Sequence, residues 1–345
     1  MTSKSKGSIK YSVIFLFVLI FGLVACKDDK AQESNSGNNG ENAALEELNE
    51  LIRNQKGDDG LLFERAKLYY GKKAYDEAID DLVLAQKIDS IKPDYYHLLA
   101  DVYMDYYKSF EALKTMQKVV FLHPQRIPSL LKLAEFQYIL KQYEASVITL
   151  NNVLAVDRLE PEAFFMLGMN FRAIGDIERA KNSFQTAVEN NPDLVDAWMM
   201  LGSIYEGQND PQALVYYDNA LLVSPDNIDV MHAKAFYFQN HKDIQAAIDL
   251  YKKINVLDPS YSDAYLNTGL LYLEMDSLAK AHEHFNIMIK SDVTNPIGYF
   301  YRAYTFEQIG ELKKARMDYE QAIKLAPDFE EAKNALELLT SRKPS

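Results

Sequence analysis

Residues 195–227 read VDAWMMLGSIYEGQNDPQALVYYDNALLVSPDN, and this stretch decides the fold. Its skeleton is Trp198-x₂-Leu201-Gly202-x₂-Tyr205, then Ala213-x₃-Tyr217, then Pro225. Stepping by 34 residues in either direction finds the skeleton again. The segments are 59–92, 93–126, 127–160, 161–194, 195–227, 228–261, 262–295 and 296–329, the fifth one residue short near Asp210-Pro211. Position 8 is Ala66, Ala100, Ala134, Gly168, Gly202, Ala235, Gly269 and Ala303. Position 20 is Ala78, Ala112, Ser146, Ala180, Ala213, Ala247, Ala281 and Ala315. Position 24 is always large: Leu82, Met116, Leu150, Phe184, Tyr217, Tyr251, Phe285 and Tyr319. Position 11 is aromatic except at Gln137, and position 32 is Pro124, Pro192, Pro225, Pro259 and Pro327 in five segments, with Ser90, Arg158 and Val293 as departures.

Packing explains the columns. Small residues at positions 8 and 20 let two helices approach closely, and large ones at 4, 11 and 24 fill the gaps between neighbours. Proline at 32 cannot continue a helix and restricts the residue before it. One such helix pair cannot bury its apolar face alone, so the pairs must stack into a solenoid.

The skeleton resembles the tetratricopeptide repeat (TPR), over residues 59–329. The resemblance implies an all-α TPR α-solenoid, a superhelix of about eight helix-turn-helix repeats that binds other proteins. Capping helices are expected at both ends. Residues 42–58 carry Ala44, Leu48 and Leu51 where the register places the second helix of a preceding half-repeat. Residues 330–345 hold a helix and tail, with Ala332, Ala335, Leu336 and Leu339 forming an i, i+3, i+4, i+7 stripe.

The N-terminus reads as an address. Lys4, Lys6 and Lys10 precede an apolar run, Val13–Leu23, too short for a membrane span and of the right length for the core of a signal peptide over residues 1–25. The run ends in Leu23-Val24-Ala25-Cys26, which resembles a bacterial lipobox. That resemblance implies cleavage before Cys26, the one cysteine of the chain, and its acylation with fatty chains such as palmitate. Multiple acyl chains give stable membrane anchoring. Lys27-Asp28-Asp29 resembles a signal for the outer face of the outer membrane. The expected location is therefore the outer membrane, with the cell-surface side favoured over the periplasmic side. Residues 26–41, from the lipidated cysteine onward, are polar and are expected to form a disordered tether.

Composition excludes other classes. The formal net charge is −13, and no Lys/Arg cluster stands out, which argues against nucleic-acid binding. No nucleophile, metal, phosphate or dinucleotide motif is present, the repeats leave no long insertion to house an active site, and no cofactor is expected. The chain reads as a non-enzyme with no catalytic and no metal-binding residues. His282 and His284 flank Glu283, but residues i and i+2 of a helix point apart and cannot share a metal. His97 and Asp101, at i and i+4, suit a surface pair better than a ligand set. Asp58-Asp59 and Asp80-Asp81 read as solvated positions. Asp89-Ser90-Ile91 and Asp276-Ser277-Leu278 resemble an O-glycosylation pattern of some exported bacterial proteins, which would place sugar on Ser90 and Ser277.

In TPR proteins, positions 5, 9 and 12 of the first helix commonly line a concave groove. The Lys and Asn that let some cochaperones of this family grip a terminal carboxylate are absent from the matching columns here. Repeats 4 to 8 offer instead Phe165, Met169, Arg172, Met199, Phe236, Leu266, Leu270, Leu273, Phe300 and Tyr304. This run, apolar apart from Arg172, suits a protein or peptide partner with an apolar or amphipathic segment. Such a chain resembles envelope TPR lipoproteins that assemble or recruit other proteins. A surface glycan-binding lipoprotein is the alternative, weakened because the only tryptophan, Trp198, sits in a packing column.

Overall fold

The computed structural model describes residues 34–55 and 57–341, with side chains from Glu41 onward. The signal segment, Cys26 and Lys27-Asp28-Asp29 lie outside the described residues. The described residues form eighteen helices and no strand. They fall into two compact units divided between Ser90 and Ile91.

The first unit holds α1 (Ser34–Asn54), α2 (Asp59–Gly71) and α3 (Tyr75–Ile88). The second holds α4 (Pro93–Asp105), α5 (Ser109–Leu122), α6 (Ile127–Ile139), α7 (Tyr143–Val156), α8 (Pro161–Ala173), α9 (Ile177–Asn190), α10 (Val195–Gly207) and α11 (Gln212–Val223). It continues with α12 (Ile228–Asn240), α13 (Ile244–Leu257), α14 (Ser262–Glu274), α15 (Leu278–Ser291), α16 (Pro296–Gln308), α17 (Leu312–Leu325) and α18 (Glu330–Ser341). From α2 to α17, each 34-residue segment starts at the first residue of an even-numbered helix A and contains one odd-numbered helix B.

The small and large columns are the core. Every residue at positions 8, 20 and 24 is buried. Glycine at position 8 faces a ring at position 24: a Cβ on Gly168, Gly202 or Gly269 would lie 2.5, 2.5 or 2.4 Å from a ring carbon of Phe184, Tyr217 or Phe285. The polar exception at position 11 is compensated locally, because buried Gln137 accepts a hydrogen bond of 2.7 Å from the Thr149 hydroxyl. In the short fifth repeat helix B starts late: α11 has 12 residues, where α9 and α13 have 14, and the A–B turn before it is longer by one residue.

Backbone devices repeat with the same period. Position 15 adopts the left-handed conformation in all eight A–B turns, at Lys73, Tyr107, Lys141, Gly175, Asn209, Lys242, Asp276 and Gly310. In each turn the N–H of position 16 donates to the carbonyl of position 11 at 2.7–2.9 Å, and that of position 15 donates to position 12. This is a Schellman ending, which satisfies the last carbonyls of helix A. Helix B ends at position 30 whether or not proline follows, including before Ser90, Arg158 and Val293. In four repeats position 31 supplies a stop signal: Asp157, Asn191, Asp258 and Asp292 each accept the N–H two residues on, at 2.8–3.1 Å. Such side-chain turns compete with helix continuation.

Three expectations need correction. Residues 34–41, read as part of a disordered tether, belong to α1, and helix does not extend to residue 58. Extending a formed helix adds one hydrogen bond per residue, and Lys72, just past the end of α2, bonds to Asn42 and approaches Glu41 to 4.0 Å, holding the extension. Asp81, read as solvated, is 3% exposed and accepts two hydrogen bonds from Arg65, at 2.6 and 2.7 Å. Asp58 caps α2 by accepting the Leu61 N–H at 3.1 Å. Nor do His97 and Asp101 pair with each other; α6 partners both, as described below.

Arg65 also donates to Asn49 of α1 at 2.7 Å. The same triad recurs in the last repeat, where Arg302 donates to Asp318 at 2.7 and 2.9 Å and to Asn286 at 2.8 Å. Arg occupies position 7, Asp position 23, and Asn position 25 of the preceding unit. Thus α1 stands to α2 as the helix B α15 stands to α16. At the other end, Leu336 and Leu339 of α18 pack on Ala303, Ala315 and Tyr319.

Candidate functional site

The candidate surface is the helix A face at positions 5, 9 and 12 of the second unit. It changes character along the stack. In α4 and α6 the columns carry titratable groups. The His97 Nε2 meets the Ser129 hydroxyl at 2.8 Å, and burial beside Lys132 and Arg126 pushes its pKa down to about 4. Asp101 receives a hydrogen bond from Lys132 at 2.5 Å, although burial raises its pKa on balance. Burial also raises that of Glu135. His97 and Asp101 of α4 thus both find partners on α6.

From α8 onward the columns turn apolar, and each of the ten residues singled out from the sequence is half-buried. Phe165 and Met169 pack on the cluster of Ala180, Phe184 and Leu201, with the Phe165 and Phe184 ring centres 5.7 Å apart. Met199 rests on the cluster around Tyr217, and Leu266, Leu270 and Leu273 rest on that around Tyr251 and Phe285. Phe236 and Tyr304 keep a comparable part of their surface. Phe300 is drawn toward the C-terminal cap: its ring lies 5.1 Å from Phe329 and 5.7 Å from Tyr319. The run therefore serves partly as solenoid packing and presents a broken apolar strip rather than a continuous trough.

Polar groups interrupt the strip. His232 sits between the Tyr251 and Tyr261 rings, with Nε2 3.3 Å from the Asn267 amide, and burial lowers its pKa. Glu206 accepts the Tyr217 hydroxyl at 2.7 Å. Burial raises the pKa of both partners.

Arg172 lines a cavity of about 340 Å³ with Ile177, Ser203, Ile204, Gly207 and Gln208. Only Arg172 of this set is among the ten residues picked from the sequence. Ile177, Gly207 and Gln208 come from turn-proximal positions outside the groove columns, where the repeat register gives no signal. Ser203 stands in column 9 but is polar, so an apolar search passes over it.

The histidine pair of α15 diverges, as helix geometry requires. His282 meets the Thr305 hydroxyl at 3.0 Å, and His284 lies 5.4 Å from the Tyr272 ring. Ser90 is exposed just beyond α3, while Ser277 is half-buried at the start of α15 with its hydroxyl 3.5 Å from the Met275 carbonyl. No described helix is long and apolar enough to cross a membrane.

Family models supply the comparison. Residues 165–226 and 298–329 match the tetratricopeptide repeat. The remaining helix pairs share the register and the buried columns, and the fold is a TPR α-solenoid. Tetratricopeptide repeat protein 13 of Homo sapiens is 29% identical over 168 residues, covering 47% of this chain and 19% of that protein. TPR repeat-containing protein YpiA of Bacillus subtilis is 22% identical over 274 residues, covering 79% and 64%. The type IV pilus assembly protein PilF of Pseudomonas aeruginosa is 26% identical over 138 residues, covering 39% and 55%. The chain thus spans less than two thirds of each of these relatives. TPR proteins generally mediate protein–protein interaction by binding peptides or proteins.

Proposed function

We propose that this chain is a lipid-anchored TPR scaffold of the bacterial cell envelope, which recruits or assembles other proteins through the helix A face of repeats 4 to 8. The observation that carries the binding role is the strip itself. Phe165, Met169, Met199, Phe236, Leu266, Leu270, Leu273 and Tyr304 each leave part of an apolar side chain uncovered on equivalent positions of successive helices. A stripe of spaced apolar patches suits an amphipathic segment, whose anchors recur at i, i+3, i+4 and i+7. The name of the similar PilF, a pilus assembly protein, agrees with an assembly role. The lipobox Leu23-Val24-Ala25-Cys26 and the following Lys27-Asp28-Asp29 support anchoring at the outer membrane, on its surface side. No catalytic role is assigned to any residue.

Two experiments test the two halves. Growth with a clickable fatty acid should label the wild type and not Cys26→Ala; equal label on both refutes the anchor. Leu270→Asp should abolish capture of the partner in cells while its helical circular dichroism at the growth temperature stays that of the wild type. Unchanged folding with unchanged capture refutes the binding face.

A further inference from the structure

We propose that Arg172 is a carboxylate anchor, and that the cavity beside it holds the carboxylate and a short apolar group of a bound peptide. This deepens the scaffold reading and rests on the same helix A face.

The case begins with charge. Acidic residues number 50 against 37 Lys and Arg, so a guanidinium in this chain has many potential partners. Arg65 and Arg302, the other arginines half-buried on helix A, each hold an aspartate through two hydrogen bonds. Among the described residues, Arg172 has no carboxylate within ion-pair distance. Its Nη1 lies 2.8 Å from the Met200 thioether and its Nη2 3.4 Å from the Ser203 hydroxyl. A thioether is a weak acceptor, and a neutral hydroxyl is a poorer one than a carboxylate, which takes the planar fork through two parallel bonds. The equivalent position one repeat on is Glu206, whose carboxylate is engaged by the Tyr217 hydroxyl.

Position sharpens the point. Across repeats 2 to 8, Arg172 is the only Lys or Arg in the three face columns. It opens onto space rather than onto packed protein, since the cavity of about 340 Å³ lies against it. At roughly 30 Å³ for each water in the liquid, that volume exceeds what a carboxylate alone needs. Ile177 and Ile204 give an apolar wall, while Ser203 and Gln208 add neutral donors for the second carboxylate oxygen. Met169 and Met199, in the adjoining columns, continue the apolar strip. The chemistry matches an acidic side chain or a chain terminus flanked by an aliphatic residue. Arg172 at position 12 and Ser203 at position 9 are neither the Lys nor the Asn of the clamp that this sequence lacks.

The test uses the full-length protein with ¹⁵N-labelled arginine, following the Arg172 Nε–H signal by NMR. The signal is assigned by its loss in Arg172→Gln. Four peptides are titrated: acetyl-Leu-Leu as free acid and as amide, and acetyl-Asp-Leu-amide beside acetyl-Asn-Leu-amide. At least one acid should bind about tenfold more tightly than its neutral partner, and Arg172→Gln should erase that preference. The pair that shows the preference identifies the source, a chain terminus or a side chain. Acids that bind no better than their neutral partners overturn the proposal, as does a preference that survives Arg172→Gln. If the preference depends on Arg172 while Leu270→Asp leaves partner capture intact, the scaffold reading fails and the anchor stands. If Leu270→Asp abolishes capture but no acid preference is found, the anchor alone fails.

Discussion

Replacing Gly269 by alanine probes the rule that governs helix pairing within a repeat. The new Cβ would lie 2.4 Å from Cε1 of Phe285 and 2.7 Å from its Cζ. Ordinary contact begins near 3.4 Å, so ring or helix must shift by about 1 Å. Phe285 is fully buried and stacks on Tyr301 with ring centres 5.4 Å apart, which denies it an easy exit. Overpacking of this kind costs about 1–3 kcal/mol, and removing a mid-helix glycine returns up to about 1 kcal/mol. Ala235 opposite Tyr251 and Ala303 opposite Tyr319 show that helix pairs of this family of repeats can open enough for alanine beside a ring. The expected loss is therefore about 1 kcal/mol, read from urea unfolding followed by circular dichroism. Combined with Gly269→Ala, Phe285→Leu recreates the pairing of Ala134 with Leu150. On its own it should destabilise by roughly 1–2 kcal/mol through lost burial. The double variant should be more stable than the sum of the singles by about 1 kcal/mol or more. Additivity within about 0.3 kcal/mol would refute the claim that positions 8 and 24 set the helix spacing together.

Other consequences follow from the turns, the ion pairs and the histidines. Lys141 holds φ +58° in an A–B turn where Gly175 and Gly310 serve elsewhere, so Lys141→Gly should stabilise by about 0.5–1 kcal/mol. A lower unfolding midpoint in urea would contradict that account of the turn. Asp81→Ala should destabilise by roughly 2–4 kcal/mol, below the full cost of a deeply buried pair because Arg65 retains some exposure. Arg65→Met with Asp81→Leu should recover most of that loss, and a double variant as unstable as Asp81→Ala would oppose the argument. The pKa of His97 lies near 4, and His232, His282 and His284 are also shifted down by burial. The unfolded chain therefore binds more protons, so the stability from these groups is complete above about pH 6.5 and is lost as pH falls toward 4. Stability measured between pH 7 and 4 should fall, and His97→Gln should flatten the decline; an unchanged slope in that variant would refute the assignment.

Much of the architecture is legible in residues 59–329, because a helix pair that repeats every 34 residues writes its small and large columns eight times. Trp198, Gly202, Ala213 and Tyr217 are enough to place α10 and α11, and the period then places the rest. The turns are less legible. Lysine and tyrosine at Lys73, Tyr107 and Lys141 give no sign of a left-handed backbone, since the Schellman geometry is imposed by the helices on either side. The aspartates at position 31 look like ordinary surface residues until their backbone hydrogen bonds are seen. Asp81 looked solvated because its partner, Arg65, is 16 residues away and meets it only when α2 packs on α3. The binding face is legible as columns, yet not in how each residue divides itself between core and surface. Phe300, for one, goes to the cap because Phe329 and α18 fold back on it. Arg172 is visible as an odd cation in an apolar run, whereas its cavity depends on Ile177 and Gln208, which no column links to it.

The central claim is that partners dock on helix A of repeats 4 to 8, and site-specific photo-crosslinking in living cells tests it most directly. Benzoylphenylalanine would replace Phe236 on helix A, or Leu222 on helix B, which is 81% exposed. The account predicts that one discrete protein is captured from position 236, identified by mass spectrometry, and is absent from position 222. Capture of that protein from position 222 alone would contradict the account and move the interface to helix B.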